Sequence, residues 1–247
     1  TIVANGDGTA KVTQNETVND KDDDVKVTGS NEVTGNTVDI INNTDNDLKV
    51  TLSDVTITDP KGDAAPVSVS GTGNTAIELD GSNTLKSSGW HAGLERNEEK
   101  NSDGNVVSGK LTIQDKDKNG SLDATGGFRG AGIGGGEAQN GQVTITGGTI
   151  TATAGSSSGR FIYGGGSGIG GGDGGTGVGG NGDVEITGGT ITATGFYGAG
   201  IGGGRSADGD VTISGGTITE ASGGYMAAGI GSGYQGGLAA LCANYGV

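Results

Sequence analysis

Only one cysteine, Cys242, occurs in 247 residues. No disulfide can form within the chain, and the redox compartment is not written in it. Two prolines accompany 57 glycines. Collagen is excluded, because the glycines keep no period of three and proline is nearly absent. There is no run of about 18 apolar residues, so no transmembrane helix and no membrane insertion is expected. The chain opens at Thr1 without a signal-peptide pattern, as expected of a mature or trimmed chain. Cations are scarce, 14 against 29 acids, for a net charge of −15. That balance disfavours nucleic acid and anionic membranes as partners. A single histidine, His91, and a distant Cys242 leave no Ser-His-Asp or Cys-His arrangement. Among the acids no spacing singles out a carboxylate pair for glycoside hydrolysis. No catalytic residue is therefore assigned. Aromatics are scarce too, at 4%, a composition that leans toward disorder.

What is present argues against disorder. Valine, isoleucine and threonine alternate cleanly through much of the chain, and helix signals are almost absent. The phrase GAGIGGG at Gly130–Gly136 returns letter for letter at Gly198–Gly204, with near copies at Gly166–Gly172 and Ala228–Gly233. It satisfies the dinucleotide fingerprint G-x-G-x-x-G, but no helix-period pattern follows any copy, and a dinucleotide needs one such loop. The phrase belongs instead to a repeat. KLTIQ at Lys110, QVTIT at Gln142, DVEIT at Asp183 and DVTIS at Asp210 each lead to a second alternating run. Those runs are SLDAT at Ser121, TITAT at Thr149 and Thr190, and TITEA at Thr217. A loop and the glycine phrase complete each unit. Looser units start at Leu48 and Ala76, and Val25–Thr28, Glu32–Thr34 and Val38–Ile41 suggest another.

Strand, turn, strand, loop, strand, with inward residues at period two, describes a parallel β-helix, whose stacked coils share one core. About seven coils of three short strands are expected, roughly 35 Å long at the usual strand spacing. Inward residues would be Val143, Ile145, Ile150, Ala152 and Ile169 in one coil, then Val184, Ile186, Ile191, Ala193 and Ile201 in the next. The glycine pair at Gly147–Gly148 would turn a tight corner, and the AGIGGG glycines would permit close backbone approach. Residues 1–47 are expected to form less regular coils or a cap, 48–236 the repeat, and 237–247 a tail, in one continuous domain.

The phrases NTLKSSGWHAGLE, GKLTI…GSLDATGG, GAGIGGG and GQVTITGGTITATAG resemble the β-helical "carbohydrate-binding domain-containing" surface proteins of clostridia and related gut bacteria. The likeness spans about Leu48 to Gly233. It implies a right-handed parallel β-helix on a secreted or wall-attached protein. It also implies polysaccharide or host-glycan binding and, in some relatives, bound calcium.

Seven of the nine aromatics lie in one recurring place, the loop before the third strand. They are Trp90, Phe128, Phe161, Tyr163, Phe196, Tyr197 and Tyr225, each at a near-constant offset from the inward residue that follows. Equal positions stack in a β-helix, so an aromatic file along one edge is expected. Trp90, Phe128, Tyr163, Tyr197 and Tyr225 would form a sugar platform, with His91, Arg129 and Arg160 recognising hydroxyls or uronate carboxylates. The alternative is an aromatic stack covering a corner of the core. One loop, DKDKNGSLD at Asp115–Asp123, matches the first nine places of an EF-hand-type loop. Asp115, Asp117, Asn119, Ser121 and Asp123 are the candidate calcium ligands. The twelfth place is Gly126 rather than an acid, and no helix flanks the loop. Asp20–Asp24 reads as a solvated charge block.

Outward threonines on the second strand should align as Thr149–Thr190–Thr217, Thr151–Thr192–Thr219 and Thr153–Thr194. A regular Thr-x-Thr array resembles the ice-binding faces of some β-solenoids, but threonine is also the favoured polar residue on an exposed strand. The function expected is a non-catalytic extracellular binding or adhesion module. A polysaccharide-active, lyase-like enzyme and a purely structural stalk are the alternatives.

Overall fold

The computed structural model describes the chain apart from residues 6–9, 15–16, 23, 30–32, 61–62, 157–163, 176, 238–239 and 244–247. Its strands form three sheets in which successive turns of the chain pair in parallel. The first sheet is built from Lys26–Thr28, Leu48–Ser53, Thr75–Asp80, Leu111–Gln114, Gly141–Ile145, Gly182–Ile186, Gly209–Ile213 and Ala240–Ala243. The second comprises Thr56–Thr58, Ser82–Lys86, Ser121–Thr125, Thr149–Thr153, Thr190–Thr194 and Thr217–Ser222. The third holds Val38–Ile41, Val67–Ser70, Leu94–Glu95, Ile133–Gly134, Ile169–Gly170, Ile201–Gly202 and Ile230–Gly231. The protein is a parallel β-helix. Regular winding begins at Lys26, ahead of residue 48, and Thr34 bridges Ile57 where the first turn's second strand would lie. At that end Ile2–Ala4 pairs in parallel with Val38–Ile41 and antiparallel with Ala10–Gln14. Ala10–Gln14 in turn pairs antiparallel with Thr17–Asp22.

The period-two pattern sets which residues point inward. All ten inward residues expected for the two best-repeated coils are at most 2% exposed. Register pairs like with like: Val143 with Val184, Ile145 with Ile186, Ile150 with Ile191 and Ile169 with Ile201. Identical side chains therefore stack along one core running through the coils, the arrangement that lets units unable to fold alone share a hydrophobic interior. No described aromatic belongs to that core.

The glycine phrase is an arch. In its four copies an amide bonds the carbonyl four residues on: Ala131 to Gly135, Ser167 to Gly171, Ala199 to Gly203 and Ala228 to Ser232. The isoleucine between points inward, and the glycine after it has φ of +126° at Gly134, +129° at Gly170 and +131° at Gly202. A Cβ there would meet the equivalent carbonyl of the next coil at 2.0–2.1 Å. At the corner between the first two sheets the second glycine of each pair takes the left-handed conformation, with φ of 92° at Gly148 and 86° at Gly189.

One expectation about the threonine rows needs correction. A bulge between Ile191 and Thr192 shifts the register, so Thr192 faces Glu220 rather than Thr219, and Thr194 faces Ser222. The row through Thr151 and Thr192 is thus bounded by acids, Asp123 on one side and Glu220 on the other.

One charged side chain enters the interior. Arg96, 1% exposed, donates to the carbonyls of Val69, Gly71 and Gly109. It ties the second and third coils and anchors the end of the 97–109 excursion. Glu99 supplies the opposing charge, and its Oε1 accepts from the Gly71 amide at 3.1 Å.

Candidate functional site

The third sheet's later strands are two residues long, and turns flank those at Ile133–Gly134, Ile201–Gly202 and Ile230–Gly231 on both sides. The turn before carries Trp90 and His91, then Phe128 and Arg129 in the next coil, and, past a coil whose turn lies outside the described residues, Phe196 and Tyr197, then Tyr225 and Met226. The turn after carries Glu137, Asp173, Arg205 and Tyr234. Backbone bonds zip the two files together: Glu137 N to Trp90 O at 2.8 Å, Asp173 N to Arg129 O at 2.8 Å, and Tyr234 N to Tyr197 O at 2.9 Å. Arg129 and Met226 in one file, and Ala138, Ser206 and Gln235 in the other, adopt left-handed φ between 53° and 64°. Such turns thrust the neighbouring side chain outward. The expected file exists, but it is half of an edge. The second file was missed, although it has a simple signal: each member directly follows the glycine phrase.

The described rings gather at two places. Trp90 and Phe128 meet edge to face at 4.7 Å. Arg129 lies over both, 5.4 Å from Trp90 and 4.9 Å from Phe128. Nearer the C-terminus, Tyr197 packs with Phe196, Tyr225 and Tyr234 at 5.5, 5.6 and 6.0 Å. Arg205 spans Tyr197 and Tyr234. Trp90 is 42% and Tyr225 60% exposed, while Phe128, Tyr197 and Tyr234 are half-buried. Arg160 and Tyr163, which the sequence placed in the same file, lie outside the described residues.

Charges alternate along this edge. Glu137 pairs with Arg129. Asp173, fully buried, accepts from the amides of Gly165 and Gly175 at 2.7 and 2.6 Å, with Arg205 and Arg129 nearby. Burial pushes its carboxyl up, against those lowering influences. Arg205 Nη1 donates to Gly175 O at 2.7 Å. Both arginines are thus held by the protein's own groups.

His91 is held as well. Its Nδ1 is 2.8 Å from Glu95 Oε2, and its Nε2 is 3.6 Å from Asp63 Oδ1. Glu95 occupies the register position that Gly134 takes one coil later, so this coil exchanges the arch glycine for a nearly buried carboxylate. The hydrogen bond to Glu95 raises the imidazole above its ordinary 6.5, with burial opposing. A raised folded value means that the stabilisation is complete below 6.5 and is lost as pH rises through the folded value. Melting temperature should therefore fall as pH rises above 6.5 in the native protein. It should fall less in His91→Gln, and identical pH profiles for the two proteins would contradict the assignment.

The candidate calcium loop does not gather all five expected ligands. Glu78, Asp115 and Asp117 bring one carboxylate oxygen each within 4.8 Å of one another. Asp115 also accepts from the amides of Asn119 and Gly120, closing the turn. Asn119 donates to Asp80, whose carboxyl Lys26 holds below its usual range. Ser121 and Asp123 sit on the second sheet, where Asp123 pairs with Thr84 and Thr151. The strand takes over at Ser121, and its alternation turns these two side chains away from the loop. Glu78, from the preceding coil, could not be found by spacing within one loop.

A family model described as a beta helix repeat matches residues 118–137, 184–205 and 211–234. The chain is similar to beta helix repeat proteins. The matched stretches each run through the glycine phrase or into the turn beside it, the parts that build the edge. No curated protein and no solved structure matches the chain, so the resemblance to carbohydrate-binding surface proteins has no named relative behind it.

Proposed function

We propose that the protein is a non-catalytic extracellular module that binds polysaccharide or host glycan along the two-file edge, in a secreted or cell-surface setting. The observation that carries this reading is the position of the rings. They lie outside the aliphatic core, at least two of them substantially exposed, in a file that follows the long axis of a rigid solenoid. Pyranose C–H faces pack on such rings, and neighbouring carboxylates, amides and carbonyls suit sugar hydroxyls. A binding role is preferred to turnover because the arginines of the edge lean on its rings and bond the protein's own oxygens, Arg129 to Glu137 and Arg205 to Gly175. A glycan array tests the reading. Hits lost on ring substitution support it; the absence of hits favours a structural stalk. Unsaturated or reducing-end products formed at catalytic protein concentrations would make it an enzyme.

Calcium belongs to the same proposal. Glu78, Asp115 and Asp117 supply the hard oxygen donors that the ion prefers. Calcium at a hundred times its dissociation constant should stabilise the fold by about 2.7 kcal/mol, and Asp117→Ala should remove most of that gain. An unchanged melting temperature at millimolar calcium would discard the site.

A further inference from the structure

We propose that the Trp90 end of the edge takes a glycan carrying free amino groups, with a sugar ammonium against Asp63 and the pyranose face on Trp90. The inference rests on the binding reading above and concerns only which glycan is bound. Uronate recognition would need an available cation, and neither Arg129 nor His91 is available. Arg129 is paired with Glu137, lies over two rings, and is covered by the next coil, where a Cβ on Gly175 would stand 2.6 Å from Cζ. His91 is held by Glu95 on one side and faces Asp63 on the other.

The groups that remain near Trp90 are acceptors. Asp63 is 61% exposed, and its Oδ1 receives the Trp90 amide at 3.2 Å. That bond fixes the carboxylate at the backbone of Trp90. Glu95 and Glu137 add two more acids against the single guanidinium of Arg129. Over Asp63, Glu95, Glu137, Arg129 and His91 the charge is net negative whether or not His91 is protonated. A carboxylated sugar would be repelled, and an ammonium would gain a charge-assisted hydrogen bond next to an indole whose face also attracts cations.

The test is titration calorimetry at a pH where the sugar amine is charged. The probes are a β-1,4-glucosamine oligomer, its N-acetylated counterpart, an oligogalacturonate of equal length and an oligolysine peptide. The amino oligomer should bind about tenfold or more tighter than the acetylated one, and the galacturonate weakest. Asp63→Asn should bring the amino and acetylated oligomers level. Asp210→Asn, which removes the same charge from an exposed position on the first sheet, should leave the preference intact. Trp90→Ala should weaken both. Equal binding of the two oligomers, tighter binding of the galacturonate, or equal loss of preference in Asp63→Asn and Asp210→Asn overturns the amino-sugar inference alone. So does Asp63-dependent binding of oligolysine tighter than that of the amino oligomer, which makes the partner a basic peptide. If no sugar binds, this inference and the binding reading fall together.

Discussion

Gly170→Ala is expected to cost about 2–6 kcal/mol, the sum of a strained backbone conformation and an overpacked contact. The residue sits at φ +129°, and its new methyl would stand 2.1 Å from the carbonyl of Gly202. Neither backbone can retreat, because Ile169 and Ile201 are fully buried on the same two strands. In a solenoid the damage falls on a nearest-neighbour interface, so the coils on either side lose their mutual support. Gly177→Ala is the matched control. Its Cβ would meet only the carbonyl of Gly174, at 3.4 Å, and the melting temperature should hardly move. Denaturant unfolding of both variants checks this. Equal stability would mean that the glycine ladder is ornament.

Arg96→Met comes next, with an expected loss of about 3–5 kcal/mol, the range for deleting one partner of a buried charged network. Methionine fills much of the volume but cannot donate, so the carbonyls of Val69, Gly71 and Gly109 lose a donor inside the coil junction. Glu99 would keep its charge without the guanidinium. Arg96→Lys should recover only part of the loss, because one ammonium cannot span three carbonyls held by a fork. Chemical denaturation that finds Arg96→Met as stable as the native chain would remove Arg96 from the account of how the coils join.

The core was legible because alternation is a local signal: Val143, Ile145 and Ile150 carry their direction in the two residues on either side. The glycine arch was legible for the same reason, with one unit written four times. Contacts between coils were harder to read, because the loops differ in length. Glu78 meets Asp115 from 37 residues earlier in the chain, and only register places them together. The second file of the edge escaped because Glu137, Asp173, Arg205 and Tyr234 share a position but no chemistry, and a search by residue type does not group them. The asparagine ladder at the remaining corner escaped in the same way. Asn140 and Asn181 each accept the backbone amide of the next coil's counterpart, an arrangement that Asn-Gly in the sequence suggests only as a turn.

The central claim is that the rings of the edge serve a ligand rather than the fold. Melting temperature and glycan affinity, measured together on Trp90→Ala, Phe128→Ala, Tyr197→Ala and Tyr225→Ala, test it most directly. The account predicts that Trp90→Ala and Tyr225→Ala weaken binding by about 1–3 kcal/mol each and leave melting nearly unchanged, since both rings are exposed and outside the core. Loss of stability in those two variants, without a selective loss of affinity, would contradict it and return the rings to the role of a corner stack.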